Sequence, residues 1–395
     1  MPNTAAHVRA QSARYGRPGR SAAGARLRAM RGDALTPLAA RLRGRTLGEC
    51  LAAGRDNFLA LRFAAALMVV LGHSFVLCGP ALVDADPAQR LFGNTYTHFL
   101  GVMTFFVISG FLITLSWQRR PDLARYLTSR ALRILPALIV CVGLTAFLLG
   151  PVLTTWPLAG YLHSAATWHY LIGNASLVDL RWRLPGVFAD NPVSGFVNGS
   201  LWTLPVETGL YLAVAATGVC GVLRRRWLAN AVILALALLL VGWPLARGET
   251  LGLGTIMAAF FGIGALAAIN REQVPMSTAL LVIVVVVCWA SRDTAMYRYL
   301  LAFTIAYACL WIAYVPRLPA PPGGADWSYG TYLWGFPVQQ TLIAEFGIRS
   351  PWLLFGASLA PVLLLAGLSW YVVERPMLQF KRTRIRSAGP TGTAW

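Results

Sequence analysis

The chain has 395 residues, of which 57% are hydrophobic and 12% charged. That is more apolar side chain than the interior of a soluble globule of this length holds, so the surplus must face lipid. A net charge of +19 would suit a nucleic-acid binder. Here, however, the basic residues sit in the tails and in short connections between apolar runs, not along one stripe, so no nucleic-acid partner is expected and the charges read as topology signals.

Residues 1–57 are rich in Arg, Ala, Gly and Ser and contain no apolar run. They form no secretory signal and are expected to be a disordered, Arg-rich cytoplasmic tail, within which Met30 offers a second start. Apolar stretches of the length a bilayer demands then follow near 58–78, 98–117, 131–150, 201–223, 228–245, 251–269, 275–291, 298–315, 328–346 and 351–373. They predict an all-α polytopic membrane protein with about ten transmembrane helices in one domain, 58–378, and a basic cytoplasmic tail, 379–395.

Arginine and lysine recur on alternate connections. Arg119, Arg120, Arg125, Arg130, Arg133, Arg224 to Arg226, Arg271, Arg317 and the Arg375 to Arg386 cluster fall on one side, and far fewer fall on the other. Because such residues accumulate in the cytoplasm, both termini are placed there. The six cysteines lie singly, without CxxC spacing, so neither a disulfide framework nor a metal site is expected.

An ionisable side chain within a span is costly and marks a functional candidate unless a partner explains it. In the first span Arg62 and His73 are eleven residues apart, about 16 Å along one helix face. Arg62 is near the inner end, where it also fits a snorkelling cation, whereas His73 lies in the outer half. Arg130 and Arg133, at i and i+3, share a face where the third span begins. Two guanidinium forks suit a pyrophosphate or a lipid headgroup, and equally an ordinary positive-inside pair.

Glu207, in NGSLWTLPVETGLYL, is placed about two turns below the outer surface, at the depth of His73. A carboxylate there would orient the imidazole and raise its basicity for general-base work, although a backbone group or another helix would satisfy it as well. The roughly 50-residue outer connection before this span is unusually long. It carries Trp156, Tyr161, His163, Trp168, His169, Tyr170 and Trp182, which suit interfacial anchors or stacking on sugar rings.

Six stretches then carry a resemblance over residues 56 to 378: DNFLALRFAAALMVVLGH with Arg62 and His73, FFVISGFLIT at 105–114, RALRILPAL from Arg130, SLWTLPVE at 200–207, SYGTYLWGFPV at 328–338 and YVVERPM at 371–377. In this order the chain resembles the acyltransferase-3 family of integral-membrane O-acyltransferases. The resemblance implies a multi-pass enzyme of the bacterial inner (plasma) membrane. Such an enzyme takes an acyl group, usually acetyl, from cytoplasmic acyl-CoA and delivers it to a cell-surface carbohydrate such as lipopolysaccharide or exopolysaccharide.

Carried over by residue, the resemblance makes Arg62 and His73 the essential pair of the first helix, Arg130 and Arg133 the donor-binding pair, and Glu207 the acidic end of the fourth-helix motif. Gly335 stands where many relatives have a histidine, so no catalytic imidazole is assigned there.

The expected chemistry has His73, oriented by Glu207, take the proton of a sugar hydroxyl as it attacks the thioester. Ser109, Trp202 or Tyr332 would serve the oxyanion or the substrate, and an acyl-enzyme on His73 or Ser109 is the alternative route. Acyl-CoA, a carbohydrate acceptor and membrane lipids are the expected partners, with no metal. The rival function is a transporter or flippase of a sugar-linked lipid. Nothing in the sequence specifies acceptor, acyl length or oligomeric state.

Overall fold

The computed structural model describes residues 44–93, 95–319 and 324–379. Each of the ten apolar runs carries a helix: α1 Phe58–Leu77, α2 Thr97–Arg119, α3 Leu123–Leu144, α4 Thr203–Val219, α5 Arg226–Ala237, α6 Leu253–Ile269, α7 Thr278–Ala290, α8 Tyr297–Tyr314, α9 Ser328–Phe346 and α10 Pro351–Leu368. A helix satisfies its backbone internally, which is why apolar sequence without water adopts it.

Among the described residues six helical stretches are long and apolar enough to cross a membrane, those of α1, α2, α3, α5, α8 and α10 with their continuations. Helices α6 and α7 are apolar but shorter. The result is a nearly all-α, multi-pass membrane protein.

Helix ends follow local chemistry. Asp122 accepts a hydrogen bond from the Arg125 amide at 2.9 Å and starts α3 eight residues before the apolar run suggests, so Arg130 and Arg133 lie inside a helix, not at its threshold. Helix α9 ends at Gly347, whose φ of +62° suits glycine at a helix C-terminus.

Burial grades the helices. In the most apolar window of α2, 61% is buried inside the protein, against 6% in Arg226–Ala246. Helix α2 is therefore central, and the α5 stretch turns its leucines outward. Close approach at the centre depends on small residues: a Cβ on Gly110 of α2 would collide with the Phe261 carbonyl of α6, and one on Gly264 with the Val107 carbonyl of α2.

Two expectations need correction. The tail does not run as disordered chain to residue 57; residues 1–43 lie outside the described residues, but Arg45–Thr46 (β1) pairs antiparallel with Pro275–Met276 (β2) and leads into the helix Leu47–Ala52. A reciprocal Thr46–Glu49 capping box and the Leu47 amide bond to Val274 at 2.8 Å fold this stretch against the α6–α7 connection. Of the expected C-terminal tail, residues 380–395 are outside the described residues.

The second correction concerns where α4 starts. Pro337 inside α9 has no N–H to donate to the carbonyl of Leu333 four residues earlier. That carbonyl instead accepts from Asn198 Nδ2 at 3.0 Å and Cys141 Sγ at 3.6 Å. Non-helical chain thus enters the bundle interior beside α9, held further by Gln340, which donates to the Val193 and Phe196 carbonyls at 3.0 and 2.7 Å. Irregular backbone at such depth is tolerated because protein groups satisfy it. Helix α4 therefore begins inside the bundle and not at its outer surface.

The aromatics of the outer connection divide. Tyr161 and Tyr170 are buried, with Tyr161 donating to the Ala146 carbonyl at 2.6 Å, so they belong to the core, while Trp156 and Trp168 are exposed.

Candidate active site

A cavity of about 450 Å³ lies among α1, α2, α3, α4 and α9. On α2 its lining runs from Ser116, next to the end that carries Arg119 and Arg120, to Val102, fourteen residues or about 21 Å along the helix. Arg62, Arg130 and Arg133 all line it, so the three arginines read from the sequence do share one site.

Their partners differ. Asp326, just ahead of α9, accepts from both Arg62 at 2.8 Å and Arg133 at 2.7 Å, and Glu374 accepts from Arg133 at 2.9 Å. Burial alone would raise the Asp326 carboxyl, but Arg62 and Arg133, with hydrogen bonds from Ser328, outweigh it and hold the group at about 2. A carboxyl depressed in this way stabilises the fold above its unfolded value and loses that contribution only as pH falls through about 2. The pairing thus persists at any physiological pH.

Among the described residues Arg130 joins none of these ion pairs and its buried Nε has no hydrogen-bond partner; its guanidinium lies 6.0 Å from the Tyr211 ring centroid. Asp326 and Glu374 were missed from the sequence. The available signal was that the chain has only 15 acidic residues, so those flanking spans near buried arginines are the natural counter-charges.

Glu207 also lines this cavity. Its carboxylate accepts from Ser109 Oγ at 3.0 Å and from the Tyr211 hydroxyl, not from His73. The expected His73–Glu207 pair is not formed, and the depth match behind it fails because α4 begins inside the bundle. Ser109, which touches Glu207, and His98, which touches His73, are eleven residues apart on α2, about 16 Å along the axis.

His73 sits beyond the cavity. Its ring stacks on His98 with centroids 5.3 Å apart and meets Phe336 edge-on at 5.2 Å. Gly72 permits this, since a Cβ there would strike the His98 backbone. Asp86 fixes the first turn of α2 by accepting from the Thr97 amide at 2.9 Å and hydroxyl at 2.7 Å. His98 was not read from the sequence, because it falls on a helix boundary and in no motif; its Nδ1 is buried without a hydrogen-bond partner.

The oxyanion candidates are occupied or peripheral. The Ser109 proton goes to Glu207. The Tyr332 hydroxyl joins the Ser200 carbonyl and Thr203 Oγ1, the latter at 2.6 Å. Trp202 closes the turn Gly199–Trp202 and packs on the core without lining the cavity.

The described helices thus form a membrane bundle with an arginine-lined interior cavity and a buried imidazole beyond its end. Residues 56–371 match the profile described as an acyltransferase domain. The chain therefore belongs to the acyltransferase-3 family and is an O-acyltransferase.

Among relatives, it is 30% identical to the O-acetyl transferase of Shigella phage Sf6 over 81% of this chain and 95% of that protein. It is 28% identical to nodulation protein 10 of Rhizobium leguminosarum bv. viciae, over 84% and 95%. To the exopolysaccharide production protein ExoZ of Rhizobium meliloti it is 27% identical, over 74% and 94%. No solved structure matches the chain.

Proposed function

We propose that this enzyme moves an acyl group, acetyl in the first place, from acyl-CoA to a hydroxyl of a cell-surface carbohydrate, in a bacterial inner membrane crossed about ten times with both termini inside. The observation that carries this reading is an arginine-lined cavity that ends one helical turn short of the residues packed on His73: on α2 the lining ends at Val102, and His98 lies four residues further.

In this account the phosphates of the donor meet Arg130, and its pantetheine arm lies along α2. His73 takes the proton of the acceptor hydroxyl, the hydroxyl oxygen bonds to the thioester carbonyl carbon, and the carbon–sulfur bond breaks. The coenzyme thiolate then receives the proton. Glu207 holds Ser109 and Tyr211 in the donor cavity and does not orient His73. The carbohydrate acceptor is supported by the phage O-acetyl transferase and the exopolysaccharide production protein among the relatives.

Purified protein in proteoliposomes, given acetyl-labelled CoA and a glycan extract from a strain lacking the gene, should place label in a base-labile ester of the glycan. Translocation of a sugar-linked lipid without label transfer would replace this reading with a transporter.

A further inference from the structure

The two ends of the cavity differ in build. Toward Ser116 and Ser129 the lining mixes the three arginines with Leu59, Leu112 and Ile113 and adjoins Gly324 and Leu378, whereas the far end is made by Val102, Phe105, Phe106 and Tyr332, with Thr203 tied to the Tyr332 hydroxyl. Tyr332 cannot yield: it is 7% exposed and its hydroxyl is tied to Thr203 and the Ser200 carbonyl. Val102 is 5% exposed and packed in the core. Phe105 is different. It is only partly buried, faces the cavity, and meets the Tyr332 ring edge-on with centroids 6.1 Å apart.

Past this wall, one turn further along α9, Phe336 lies between His73 and the Gly199 turn. A group at the closed end is thus near the imidazole but has no room to extend toward it.

On the reading that the donor is acyl-CoA, we infer that this closed end receives the acyl group and that Phe105 sets its maximum size, admitting acetyl or propanoyl and excluding longer chains. The polar arm of the donor occupies the arginine-lined length, and the apolar terminus meets the end walled by the Phe105 and Tyr332 rings. Because the Phe105 ring carries no polar group and lines the cavity, shortening it lengthens the cavity without removing a polar anchor.

The test compares acetyl-, butanoyl- and hexanoyl-CoA as donors for purified wild type, Phe105→Leu and Phe105→Ala, following thiol release and ester formed in the same glycan extract. Ratios between donors on one protein are independent of how much of it is folded, and Phe105→Leu carries the test if the alanine variant is unstable. Wild type is expected to prefer acetyl over butanoyl by about a hundredfold, as pockets discriminate methylenes by roughly 10–200-fold. Phe105→Ala should bring that ratio to within about tenfold, with Phe105→Leu between. A ratio unchanged in both variants, or a wild type that takes hexanoyl as readily as acetyl, overturns the assignment of Phe105. Absence of transfer from all three thioesters by wild type overturns the donor reading itself, and this inference with it.

Discussion

Arg130 and Arg133 stand one helical turn apart and face the same cavity, yet their surroundings give them different work. Arg133 is held by two carboxylates, Asp326 and Glu374, so its loss would leave buried negative charge unpaired, which costs about 3 kcal/mol or more. Among the described residues Arg130 has no carboxylate partner and an unbonded Nε, so on the proposed function its charge meets the anionic donor. Arg130→Gln is therefore predicted to raise the KM for acetyl-CoA about tenfold, the loss of one charge-assisted hydrogen bond, with unchanged thermal stability in detergent. Arg133→Gln is predicted to lower that stability. Equal effects of the two substitutions on both quantities would refute the division.

The sequence reveals this cluster because i, i+3 spacing on a helix is unambiguous. It conceals the counter-charges because Asp326 and Glu374 reach Arg133 from segments 193 and 241 residues away.

At the scale of elements, packing of α2 against α6 depends on backbone approach at Gly110 in FFVISGFLIT. Gly110→Ala would press a methyl into the Phe261 carbonyl and should cost about 1–3 kcal/mol through overpacking, read as a lower thermal midpoint. Gly143→Ala on α3, where nothing lies within 4 Å of the added carbon, should be neutral or slightly stabilising. A Gly110 variant as stable as the Gly143 variant would contradict this packing.

Each apolar run was legible as a helix, although among the described residues only six helical stretches reach the length and hydrophobicity to cross a membrane. The depth of Glu207 was not. It depends on Asn198 docking onto a carbonyl that Pro337 leaves open, a contact between residues 135 apart that no periodicity records.

For the whole molecule, the arrangement separates two tasks. The three arginines and Glu207 line the cavity at the Arg119 end of the bundle, and the His73–His98 pair lies one turn past its closed end. The expectation of a single His73–Glu207 unit gives way to two sites joined along α2. On the proposed function, a donor that spans this length brings its thioester to the closed end, one helical turn from the imidazole, while the acceptor comes from the other side. The family's motifs thus map onto one path, with FFVISGFLIT lining it, RALRILPAL supplying Arg130 and Arg133 to its charged length, and SYGTYLWGFPV supplying both Tyr332 at the wall and Phe336 against His73.

The central claim is that His73 accepts the proton of the acceptor hydroxyl. It is tested most directly by complementing a deletion strain with wild type or His73→Ala and measuring the mass of the surface glycan, with membrane insertion of the variant verified. The account predicts that wild type restores the acyl mass increment and that the alanine protein, inserted at the normal level, reduces its rate of formation at least about a hundredfold. An inserted His73→Ala protein that esterifies the glycan at the wild-type rate would contradict it.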